Sequence, residues 1–134
     1  LTKGEYPQWL DRSTITFCTP DENTGYYTIW TCRMDGSMLT QLIADNEADC
    51  IHPMPHPNGS HIAYVKQDPN SKTVEQSRDI YIYNRETGLS QQITTNASRD
   101  DQPQWSQDGT LLYFRSTRGV GWNVWRLPTE SLLE

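Results

Sequence analysis

The chain has 134 residues, with 17 acidic side chains against 11 basic ones and a net charge of −6. That length supplies one domain's worth of core, and the acidic balance argues against nucleic-acid phosphates, whose binding rests on clustered Lys and Arg. No apolar run approaches the roughly 18 residues of a membrane-spanning helix. Five Trp and seven Tyr against two Phe, with eight Gly and eight Pro, favour strands and turns over long helices.

Taken in chain order, the predicted elements repeat. Pro7-Gln8-Trp9 recurs as Pro103-Gln104-Trp105, and Pro53-Met54-Pro55 stands between them with proline in the tryptophan's place. These anchors lie 46 and 50 residues apart. Each is followed by a turn: Leu10 to Ser13, His56 to Gly59, and Ser106 to Gly109. Each turn leads into an alternating β segment, at Ile15-Thr16-Phe17, Ile62 to Val65, and Leu112-Tyr113-Phe114. A second β segment follows at Tyr27 to Trp30, Asp79 to Tyr83, and Asn123-Val124-Trp125. In the first two copies a final short strand is expected at Leu42-Ile43 and Ile93-Thr94, after the turn signals Asp35-Gly36 and Thr87-Gly88. The polar stretch Asn70 to Ser77 reads as an insertion at the tip of the middle hairpin, where extra residues cost little.

Three units of about four strands, bounded near 3–46, 47–97 and 98–134, predict an all-β chain of three four-stranded antiparallel β-propeller blades. No window keeps apolar residues at helical spacing between the Gly and Pro breaks. Trp9 and Trp105, recurring in phase, are expected to fill wedges between blades. Trp122 lies outside the strand register and is a candidate interface residue.

Three cysteines, Cys18, Cys32 and Cys50, leave at least one free thiol and show no metal or redox spacing. Cys18 and Cys32 invite a bridge across a hairpin in an oxidising compartment; the plainer reading is three small buried hydrophobes. Two sequons occur, Asn58-Gly59-Ser60, which also reads as a hairpin turn, and Asn96-Ala97-Ser98. His52, His56 and His61 fall within ten residues, but Pro53, Pro55 and Pro57 forbid the helix that would bring two rings to one metal. No nucleophile elbow, phosphate loop or zinc-protease motif is present, and no metal or other cofactor is expected.

The run Pro103-Gln104-Trp105-Ser106-Gln107-Asp108-Gly109, then Phe114-Arg115-Ser116-Thr117-Arg118-Gly119, resembles the TolB-type β-propeller repeat. Thr87-Gly88 and Ile93-Thr94 are similar to the close of that repeat. The resemblance covers nearly the whole chain and is strongest in the third copy. The first copy has Ser13 for the turn glycine, and the second has Pro55 for Trp and Asn58-Gly59 for Asp-Gly. It implies a scaffold that carries no chemistry of its own. Family members include a periplasmic protein that binds a lipoprotein partner and the propeller domains of prolyl-oligopeptidase-type hydrolases. A periplasmic or extracytoplasmic location is therefore an implication of the resemblance alone.

In such an architecture the connection into each inner strand lands at one rim of the central channel, where loops over a rigid scaffold carry function. The residues there, Glu5, His52, Asp100 and Asp101, are the candidates for ligand or partner contact. Three blades leave two apolar faces uncovered, and propellers close with about four to eight. The expectation is therefore a non-catalytic binding scaffold whose ring is completed by a second copy or by the remainder of a longer chain. Leu1-Thr2 aligns with the close of an outer strand and the third unit lacks a clear one, an arrangement suited to strand sharing between copies. The contrasting expectation is the propeller portion of a hydrolase or lyase that works on peptides or sugar acids at the channel mouth.

Overall fold

The computed structural model describes residues 3–68, 70, 78–95 and 98–133. Eleven strands are formed among them. The first sheet contains β1 (Glu5–Trp9), β2 (Thr14–Pro20), β3 (Tyr27–Arg33) and β4 (Thr40–Ile43), and the second β5 (Asp49–Pro55), β6 (His61–Gln67), β7 (Arg78–Asn84) and β8 (Leu89–Gln92). The third has β9 (Asp100–Trp105), β10 (Leu111–Ser116) and β11 (Asn123–Pro128). Each sheet is an antiparallel meander in chain order, as propeller blades are.

The same local device closes the first turn of every blade. A carboxylate or amide oxygen accepts from main-chain N–H groups two residues on: Asp11 Oδ1 from Ser13 (2.8 Å), Asn58 Oδ1 from Ser60 (2.9 Å) and Asp108 Oδ1 from Thr110 (3.0 Å). Gly109 is required by space as well as by its φ of +75°. A methyl group there would lie 2.5 Å from His56 Nε2, because the buried His56 ring reaches across from the second blade to Gly109 O at 3.0 Å.

The core lies between blades. Period-2 alternation sends Ala63, Val65, Ile80 and Ile82 toward the third blade, where they meet Leu112 and Phe114. The alternate residues, Tyr64 with Tyr81 and Tyr83, face the first blade and pack with Cys18, Ile29 and Ile43. Trp105 seals the second interface, its indole N–H donating to Met54 O at 2.8 Å and its ring meeting His56 edge-on at 4.8 Å.

Several details differ from the sequence-based expectation. Trp9 is 62% exposed, because it shares with Ile15 the face of the first blade that turns away from the second, and no other described strand packs there. The outer strand of the second blade ends at Gln92, although Ile93 N still donates to Ile80 O at 2.8 Å. All three cysteines are free and buried. A Cys18–Cys32 bridge is ruled out by parity: Cys18 pairs with Ile29 on one face of the sheet, whereas Cys32 pairs with Ile15 on the other. The expected insertion lies outside the described residues except Asn70, whose side-chain amide donates to the Tyr26 hydroxyl at 3.0 Å. Asn96 and Ala97 of the second sequon, and the termini Leu1-Thr2 and Glu134, are likewise outside them.

The two anchor tryptophans should therefore respond differently to truncation. Trp105→Ala is expected to cost ~3–5 kcal/mol in urea denaturation, and Trp9→Ala in the isolated chain within about 0.5 kcal/mol. Equal losses would mean that Trp9 is already covered in solution.

Candidate functional site

The inner strands β1, β5 and β9 each have one sheet partner, so their free edges border a common channel. In all three, a dipeptide ending in proline bulges opposite a single buried aromatic of the next strand. Tyr6-Pro7 stands opposite Phe17, His52-Pro53 opposite Tyr64, and Gln102-Pro103 opposite Phe114. Proline has no N–H to offer a ladder, and a free edge or a bulge is where a sheet tolerates it. The residue before each proline is left-handed: φ is +53° at Tyr6, +53° at His52 and +52° at Gln102. A non-glycine residue held there costs of order 1–3 kcal/mol, and such strain gathers at ligand-contacting positions.

The bulges carry Tyr6, His52 and Gln102 to the wall of one recess of about 240 Å³, which Gln8, Met54 and Gln104 also line. The Tyr6 and His52 rings meet edge-to-face at 4.3 Å. His52 Nδ1 is buried without a hydrogen-bond partner, an arrangement that native interiors rarely leave unanswered.

The sequence-selected residues fall into three situations. His52 lines the recess. Glu5 is exposed at the start of β1, where its carboxylate accepts from the Tyr27 hydroxyl and thereby raises that phenol's pKa. Asp100 and Asp101 have no exposed surface. Asp101 receives Arg115 through two bonds, Nε at 2.8 Å and Nη2 at 3.0 Å, and Arg78 Nη1 at 2.8 Å. Asp100 receives Arg118 Nη2 at 3.1 Å. The two carboxylates thus present arginines, and it is the guanidinium groups, partly exposed, that an incoming group would meet. Trp122, 44% exposed, lies beneath Arg115 at 4.0 Å and near Arg99 at 5.8 Å.

The three histidines do not converge. His56 is fixed at the blade interface and His61 beside Ser60 Oγ at 2.6 Å. Among the described residues no group of three or more His, Cys, Asp or Glu is placed to hold a metal. Sequence reasoning missed Tyr6, Gln102, Arg78 and Arg115. For the first two the signal was available in the in-phase prolines that follow them; for the arginines it was not, since Arg115 meets Asp101 only once the β9–β10 register is known.

No family model matches the chain. It is 38% identical over 75 residues to the uncharacterized peptidase YuxL of Bacillus subtilis, a stretch covering 55% of this chain and 11% of that protein. Among solved structures, TolB from Acinetobacter baumannii superposes with a TM-score of 0.75 at 17% identity, over 92% of this chain and 29% of that one. The acylaminoacyl peptidase of Pyrococcus horikoshii superposes with a TM-score of 0.63 at 16% identity, over 98% of this chain and 23% of that one. The chain spans less than a third of each of these proteins.

The protonation of His52 sets a pH dependence. Burial, reinforced by Arg78 and Arg115 against an opposing pull from Asp101, holds its pKa below the ordinary 6.5, and burial does the same at His61. Such a histidine takes up a proton first in the unfolded chain. Stability from this source is complete above 6.5 and is lost as pH falls from 6.5 through the lowered folded pKa. Urea denaturation at about pH 7.5 and about pH 5.5 should show wild type losing more stability on acidification than His52→Gln. Equal losses would assign the slope to other groups.

Proposed function

We propose that this TolB-like β-propeller segment is a non-catalytic scaffold that binds a protein, peptide or small ligand at its channel mouth. The observation that carries this reading is the triple recurrence of a left-handed residue before proline, which puts Tyr6, His52 and Gln102 on one recess. Glu5 precedes Tyr6 in β1, and Asp100 and Asp101, with the arginines they hold, precede Gln102 in β9; these are the proposed flanking contacts, with Trp122 as an outlying one. Strain repeated at the same position of three blades supports a role at the channel, where the Tyr6 and His52 rings meet across two of them.

The reading includes completion of the ring. On the outer side of the first blade Trp9 is exposed and Ile15 and Trp30 are half-buried, and on the outer side of the third Val124 is exposed and Leu111 and Tyr113 are half-buried, with no further described strand packed over either face. Further blades cover them, from a second copy or from the rest of a longer chain.

The alternative, a propeller portion of a hydrolase, is favoured by the local identity to a protein described as a peptidase. In it the same mouth would admit peptides to a separate catalytic domain. Light scattering of the 15.5 kDa chain at micromolar concentration separates the two forms of ring completion. The two-copy form gives twice the monomer mass, and Trp9→Glu returns it to monomer. A stably folded monomer in the wild type eliminates that form, and turnover of peptide or ester substrates by the chain alone eliminates the scaffold reading.

A further inference from the structure

We propose that the channel mouth, where the second and third blades meet, is a carboxylate-binding subsite in which Arg78 and Arg115 grip the carboxylate. The proposal rests on the channel-mouth reading above and names the chemistry of its ligand.

In a chain of net charge −6, four arginines stand together at this one place. A parallel bridge sets Arg78 beside Arg99, and the β9–β10 register sets Arg115 opposite Asp101 and Ser116 opposite Asp100. Arg118 follows, held to Ser116 Oγ and Asp100. The carboxylates that face the group are the buried Asp100 and Asp101, while Asp79, next to Arg78, accepts from Thr94 Oγ1 at 3.3 Å. Four guanidinium groups against two buried carboxylates leave a positive surplus.

The surplus is crowded. Arg78 Nη1 and Arg115 Nη2 converge on the same oxygen, Asp101 Oδ2, at 2.8 and 3.0 Å, so one carboxylate holds two cations side by side. Arg78 Nε and Arg99 Nε are also buried without an acceptor, and His52 Nδ1, under the electrostatic influence of Arg78 and Arg115, is a buried ring nitrogen without a partner. An anion seated against the exposed parts of the Arg78 and Arg115 guanidinium groups answers the charge. A planar carboxylate matches the guanidinium fork, and the Trp122 ring against Arg115 suits an organic ligand over an inorganic anion. Asp101 is then a positioning residue that fixes both arginines. The carboxylate comes from an acidic peptide or from a sugar acid.

The test uses the full chain labelled with ¹⁵N and follows the arginine Nε–H signals while an N-acetylated, amidated triglutamate peptide, the matching triglutamine peptide, or glucuronate is added. Saturable shifts of the Arg78 and Arg115 signals are expected with a carboxylate probe and none with triglutamine; the probe that acts identifies the source. Arg78→Gln should weaken binding roughly tenfold or more, Arg78→Lys by less, and Arg85→Gln, whose guanidinium holds Gly59 O, should leave it unchanged. Equal response to triglutamine, no saturation by either carboxylate, or full affinity in a folded Arg78→Gln chain would overturn the subsite. If His52→Ala abolishes binding while Arg78→Gln retains it, the channel-mouth reading stands and the arginine subsite falls. The converse result keeps the subsite and removes His52 from it.

Discussion

Every blade of this protein is a sheet with apolar side chains on both faces, and a sheet of that kind cannot bury itself. The strands alternate with period 2, so the residues that leave one face arrive at the other: Val65 and Ile80 turn to the third blade, Tyr64 and Tyr81 to the first. The core is consequently divided into layers, each shared by two neighbours. Stability then resembles a chain of nearest-neighbour interfaces, and the outermost faces remain in search of a neighbour. The contrast between half-buried Trp105 and exposed Trp9, the same residue at the same repeat position, follows from that constraint alone.

The same geometry explains why the candidate site lies at the inner strands. A blade's inner edge has no partner to satisfy it and borders a channel, so bulges and prolines are tolerated there as they would not be in the middle of β6. Each bulge turns a side chain from the blade interface to the lumen. Next to this edge, the low polarity of the blade junction strengthens charge pairing. Asp101, with no water to solvate it, requires the arginines that reach it from two different blades. Its ion pairs therefore join the blades as well as shape the mouth.

Much of the architecture was legible in residue order. The in-phase Pro-Gln-Trp anchors, the alternation of Ile62 to Val65 and Leu112 to Phe114, and the Asp-Gly and Asn-Gly turns carry local chemistry that needs no tertiary knowledge. The fate of the acids was not legible. Asp100 and Asp101 look like solvated loop residues in a string of polar letters, yet a one-residue register choice places them beneath Arg115, Arg118 and Arg78. Burial of a charge is decided by partners distant in sequence, here 14 to 23 residues away. Tyr6 and Gln102 went unread for a different reason: their importance lies in backbone handedness, which only the proline that follows each one hinted at.

One consequence concerns the thiols between the first two blades. Cys18 and Cys50 are wholly enclosed in that layer, and burial pushes both up to about 12. The thiolate, not the thiol, is the nucleophile toward alkylating and oxidising agents, so these sulfurs are chemically silent at neutral pH while the layer is shut. They gain reactivity only when the blades part. The sequence thus carries, at its own expense of two small side chains, a built-in chemical clock for the opening of one particular seam.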